Sequence, residues 1–122
     1  MDRTRRKNKS NVKGIRVAWI YLFIAGFFEI SFTTFLKYSE GFTKLWPSIG
    51  FYVCGIFSFY FLTLGMKSIP LGTAYAVWTG VGAFGTAIIG IIYFGDPANF
   101  SRIFFLGLLI ISIIGLKLFS KT

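Results

Sequence analysis

The chain has 122 residues, 55% of them hydrophobic and only 14% charged, where a soluble domain of this length would carry about a quarter charged residues. It has no histidine and a single cysteine, Cys54, which excludes histidine metal sites, histidine general bases and an internal disulfide. With a mean hydropathy of +0.70, the composition is that of an all-α membrane protein with one small bundle.

The net charge of +9 is concentrated at the start. Residues 1–16, MDRTRRKNKSNVKGIR, hold Arg3, Arg5, Arg6, Lys7, Lys9, Lys13 and Arg16 against Asp2. In a soluble protein such a tail would suggest nucleic acid. As the start of a signal peptide it is followed by too long an apolar run, with no clear small-residue cleavage site. Directly before a membrane helix it reads best as a cytoplasmic flank, attracted to anionic headgroups at about 1 kcal/mol per basic residue. No nucleic-acid partner is expected.

Residues 17–122 form the second unit, with four apolar runs. The first, VAWIYLFIAGFFEISFTTFL at 17–36, is about long enough to span a bilayer as a helix at roughly 1.5 Å per residue. Trp19, Tyr21, Lys37 and Tyr38 are expected as interface anchors. A short polar loop turns at Gly41. Trp46-Pro47 opens a second run to about Met66, in which Cys54 is expected to be a small buried apolar residue. Lys67-Ser68 makes a brief connection, and Pro70 opens a third run to about Phe94. The loop GDPANFSR follows, with Gly95 as helix stop, and a fourth run starts at Ile103. Four spans put both termini on one side. Lys67, Lys117 and Lys121 there nearly balance Lys37, Lys44 and Arg102 opposite, so the basic tail is what should hold the termini in the cytoplasm.

Glu29 stands near the middle of the first run, alone among uncharged residues. A charge at that depth costs roughly 2.5–3.5 kcal/mol on insertion scales, so the acid reads as functional by default. Gly26, Glu29 and Thr33 fall at i, i+3 and i+7 and share a face. Gly26 is expected to let a neighbouring backbone approach the carboxylate. Thr33 is expected either to hydrogen-bond within the site or to back-bond one turn earlier. The third run is rich in glycine, at Gly72, Gly80, Gly82, Gly85 and Gly90, which permits close helix contact and bending. Tyr75 and Trp78, three apart, could offer ring faces to a cation and a hydroxyl to Glu29. The bland reading of both is packing or interface anchoring. Ser58 in the second run is a weaker candidate, with back-bonding as the alternative. In the fourth run Gly107 and Gly115 lie eight apart on one face, which reads as a dimer-packing seam.

These residues carry a resemblance. Glu29 in its apolar helix, the stretch LKYSEGFTKLWPSIG and the stretch IPLGTAYAVWTGVGA resemble the small multidrug resistance transporters, over about residues 17–120. The resemblance implies a four-helix subunit in an antiparallel dimer and proton-coupled export of small cations, with no cofactor and no metal. It places the family's central glutamate at Glu29, its cavity tyrosine and tryptophan at Tyr75 and Trp78, and its second-helix serine at Ser58. AVWTGVGAFGTAIIGI and the terminal IIGLKL look like the guanidinium-exporter branch. The first helix looks like the quaternary-ammonium branch, with Phe32 where the guanidinium exporters usually carry tryptophan and with Thr33-Thr34. A topology fixed by the basic tail would suit half of a heterodimeric pair as well as a homodimer. The alternatives are a lipid-carrier flippase subunit, which would not need Glu29, and a non-transporting regulatory membrane subunit. An enzyme is not expected, since no nucleophile–base pair is present.

Overall fold

The computed structural model describes the backbone of residues 2–119 and the side chains of residues 13–119. The side chains of Arg3, Arg5, Arg6, Lys7 and Lys9, and all of Lys121, lie outside the described residues. Four helices follow one another: α1 Asp2–Tyr38, α2 Leu45–Met66, α3 Leu71–Tyr93 and α4 Phe100–Leu118. All four contain a stretch long and apolar enough to cross a bilayer, that of α1 being Lys13–Tyr38. Helix α1 therefore starts well before the apolar run: the helix continues unbroken out of the basic segment.

Two boundaries differ from the sequence expectation for local reasons. Helix α4 begins at Phe100 rather than Ile103, because the Asn99 side chain accepts a hydrogen bond from the Arg102 amide at 2.9 Å and caps the first turn. Between α1 and α2, Glu40, Gly41 and Phe42 all have positive φ, at 47°, 72° and 65°. Ser39, fully buried, holds this left-handed path: its hydroxyl donates to the Leu36 carbonyl at 2.7 Å and accepts from the Phe42 amide at 3.2 Å. Gly95 does stop α3. At φ 70° it lets the amides of Phe94 and Asp96 both donate to the Gly90 carbonyl, at 3.1 and 3.0 Å.

Helix α1 is the centre of the bundle, packing on both α2 and α3, while the backbone of α4 approaches only α3. The core gathers Ala18, Trp19, Leu22 and Ala25 of α1 with Leu62 of α2, Ile69 of the connection, Ala74, Val77 and Trp78 of α3, and Ile113 of α4. Glycines set the approaches. Gly65 makes room for Leu22, and Gly80 for Ile113; a Cβ on either would come within 2.7 Å of those side chains. The core lies toward the terminal end, so Glu29 sits at its edge. Trp19, expected at the interface, is a buried core residue, although the Lys117 ammonium lies 5.9 Å from its ring. Cys54, expected to be buried, is partly exposed: it shares the face of Ser58 and Leu62 but lies a turn nearer the loop end of α2 than the buried residues. The long apolar side chains left outside the core suit a bundle whose solvent is lipid.

Candidate functional site

Along the seam between α1 and α3, small residues of one helix face large residues of the other. Gly26 of α1 faces Val81, and a Cβ there would stand 2.6 Å from Val81 Cγ1. One turn on, the order reverses: a Cβ on Gly82 would collide with the Glu29 carboxylate, and one on Gly85 with Ile30. A further turn on, two hydroxyls meet, Thr33 Oγ1 and Thr86 Oγ1 at 2.7 Å. Positions 26, 29, 30 and 33 thus match 81, 82, 85 and 86 in rising order, so the two helices run the same way.

Gly26, expected to let a neighbouring backbone approach, seats Val81, with the Trp78 carbonyl oxygen 3.7 Å from where a Cβ would stand. Gly82 of α3 makes the room for the carboxylate. Glu29 is half-buried, and its Oε2 is enclosed without a hydrogen-bond partner among the described residues. No other acid or base lies in the apolar run 17–36.

Thr33 satisfies both of its expected roles. Its hydroxyl donates to the Ile30 carbonyl at 2.9 Å, which leaves Thr86 as the donor in the pair. Thr34 also donates to the Ile30 carbonyl, at 2.8 Å. Beyond the pair opens a cavity of about 350 Å³, lined by Thr33 and Thr34 of α1 together with Thr86, Lys37, Gly90 and Asp96. Thr86 was not singled out by sequence, since a single threonine in an apolar run gives no sign of what it faces.

Ser58 and Trp78 are brought together on the other side of α1. The Trp78 indole N–H donates to Ser58 Oγ at 2.8 Å, and the Ser58 hydroxyl donates to the Ala25 carbonyl at 2.7 Å. Ser58 thus ties α2 to α1 and α3 instead of bonding back along its own helix. The Trp78 N–H is directed to Ser58, not to Glu29. Tyr75 lies outside this chain of bonds: half-exposed, its ring centroid is 5.6 Å from that of Trp78. Phe32 packs edge-on against Phe51, 5.6 Å between centroids, and lines a second, apolar cavity of about 520 Å³ with Tyr52, Gly55, Ile56 and Phe59. Gly107 and Gly115 of α4 face open space.

Residues 17–109 match the family described as Small Multidrug Resistance protein. A guanidinium exporter of Yersinia pseudotuberculosis serotype I (strain IP32953) is 54% identical over 104 residues, 85% of this chain and 100% of its own length. A guanidinium exporter of Proteus vulgaris is 52% identical over the same shares of the two chains. One from Citrobacter freundii is 49% identical over 102 residues, 84% of this chain and 97% of its own. The four membrane-crossing helices and these similarities agree with the sequence resemblance: the chain belongs to the small multidrug resistance family and is a multi-pass protein of the bacterial inner membrane.

Proposed function

We propose that the chain is one subunit of a proton-coupled antiporter that exports small cations, guanidinium-type compounds foremost, and that Glu29 is the seat shared by proton and substrate. The observation that carries this reading is the Glu29 carboxylate, the one charged group of the apolar run 17–36, fitted against Gly82 with Oε2 enclosed and without a partner among the described residues. A group so placed in a membrane is costly to keep, and a buried polar atom without a partner is a site waiting for one. The names of the relatives favour guanidinium as the cation.

The chemistry follows from charge. A deprotonated Glu29 leaves negative charge in a region of low dielectric, which a cation neutralises. Protonation removes that charge and releases the cation. Guanidinium is planar with N–H donors in its plane, suited to carboxylates and hydroxyls. Coupling requires that proton and cation exclude one another at the site.

The transporter would be an antiparallel dimer, homo- or heteromeric, with one Glu29 from each copy. Cation sites near the midplane commonly form between repeats of opposite topology, and a four-helix chain obtains those by pairing. The open face of Gly107 and Gly115 on α4 supports a packing seam there.

The test is transport by the purified chain in liposomes under a proton gradient, comparing guanidinium with tetraphenylphosphonium. Guanidinium is expected to move uphill at the expense of the gradient. Uphill transport unchanged in Glu29→Gln would overturn the mechanism. Preference for tetraphenylphosphonium would instead assign the chain to quaternary-ammonium export, in line with Phe32 and its apolar cavity.

A further inference from the structure

Among the acids whose side chains are described, none lies at the end of the bundle that carries the termini. Glu29 is mid-span. Glu40 pairs with Lys44 at 3.3 Å and Asp96 with Arg102 at 3.5 Å, both at the end opposite the termini. On the terminal side, the Lys117 ammonium lies over the rings of Trp19 and Phe23, at 5.9 and 5.7 Å. Lys13, Arg16 and Lys67 remain, with no ion pair among the described residues.

Two of these three share a cleft. A hollow of about 450 Å³ is lined by Lys13, Gly14, Val17, Ala18 and Tyr21 of α1, by Leu64 of α2, and by Lys67 and Ser68 just after it. Gly14 lies opposite Ser68: a Cβ at that position would stand 3.9 Å from Ser68 Oγ, in ordinary contact. Its depth is fixed by the helices. Lys13 stands one turn before Val17, where the apolar run of α1 opens, and Lys67 directly follows Met66, the last of α2. The two ammonium groups therefore stand at headgroup level, while Val17, Ala18 and Leu64 line the side that descends into the hydrocarbon.

We propose that this cleft binds the phosphate of an anionic phospholipid between Lys13 and Lys67, with the acyl chains lying along Val17, Ala18 and Leu64. Each ammonium is a compact charge with three donors, suited to phosphate oxygens. Basic pockets between membrane helices at this depth have the chemistry of anionic headgroup sites. An inorganic phosphate would meet the lysines but leave the apolar wall uncovered; a lipid covers both. The site differs from the general attraction of the basic segment at 2–12, which would draw the helix to any anionic surface without holding one molecule. It does not depend on the transport reading.

The experiment uses the full chain reconstituted in mixed phosphatidylglycerol and phosphatidylcholine, then extracted in mild detergent, with retained lipid counted by native mass spectrometry. Wild type is expected to keep phosphatidylglycerol in preference to phosphatidylcholine. Lys13→Gln/Lys67→Gln should retain it roughly 30-fold less well, the loss expected for two interfacial charges. Arg3→Gln/Arg5→Gln/Arg6→Gln, which leaves the cleft intact, should retain it as wild type does. Lys13→Arg/Lys67→Arg should keep it too, and guards against a folding defect in the glutamine pair. Equal retention by the glutamine pair overturns the site, as does an equal loss in the arginine triple. Retention without preference for the anionic lipid overturns it as well. So does calorimetric binding of inorganic phosphate to the detergent-solubilised chain that displaces the lipid.

Discussion

The Glu29 carboxylate occupies the space that a side chain on Gly82 would fill. One helix thus carries the acid, and the other carries the vacancy that lets the acid sit there. In a helix interior alanine is favoured over glycine by about 1 kcal/mol, so local propensity argues against Gly82 and the close approach argues for it.

That conflict gives a first prediction. Gly82→Ala should leave the helices folded but drive the carboxyl out of its seat, lowering guanidinium transport in liposomes by about tenfold or more, equivalent to ~1.4 kcal/mol. Gly72→Ala adds a methyl in the same helix where a Cβ meets nothing, and should transport as wild type does.

Glu29 itself gives the second. Glu29→Gln should abolish both uphill export and the release of protons from detergent-solubilised protein when guanidinium is added, with assembly retained. Glu29→Asp draws the carboxyl one methylene back from Gly82. It should still exchange proton for cation, with a pH profile displaced from that of wild type. A profile identical to wild type in Glu29→Asp would mean that the titration belongs to another group.

The chain from Trp78 through Ser58 to the Ala25 carbonyl gives the third. Ser58→Ala strands a buried indole N–H, at a cost of about 1–3 kcal/mol in general and nearer ~0.6 kcal/mol by the average of membrane-protein cycles. Trp78→Phe removes the donor instead. If the two act as one unit, the double variant should be less destabilised than the sum of the singles. Thermal unfolding in detergent reads the cycle. Strict additivity would mean that the bond contributes nothing.

The Thr33–Thr86 pair gives the fourth. Thr86→Val keeps the shape and removes the hydroxyl donated to Thr33. The cavity beyond the pair, one turn from Glu29, then loses one of its three threonine hydroxyls. The apparent KM for guanidinium should rise by about fivefold, the effect of ~1 kcal/mol, with kcat nearly unchanged. A fall in kcat at constant KM would assign the pair to the conformational step instead.

The glycine seam gives the fifth. A Cβ at Gly107 or Gly115 meets nothing within 4 Å among the described residues. Gly107→Leu/Gly115→Leu should therefore spare the single subunit and weaken its pairing, read as loss of the cross-linked dimer in membranes.

Hydropathy and helix length made four spans legible in the sequence, because a bilayer imposes a length that few other environments demand. The acid was legible for the same reason: one charge in such a run stands out. What faces the acid was not. Periodicity put Gly26 on the face of Glu29, but a face does not name its neighbour, and the room came from Gly82 across the seam. Thr86 was missed in the same way. Ser58 was a weaker candidate with back-bonding as the alternative, because only the fold brings the Ala25 carbonyl and the Trp78 indole to it. The start of α4 was missed because Asn99 looks like a loop residue until its side chain reaches the Arg102 amide.

Helix α4 leans on the other three chiefly through Ile113, lodged in the notch at Gly80, and through Lys117 at its last turn. The first three helices, by contrast, close around one another. The last span is thus the one whose detachment would cost the subunit least, since its release leaves the packing of the other three untouched.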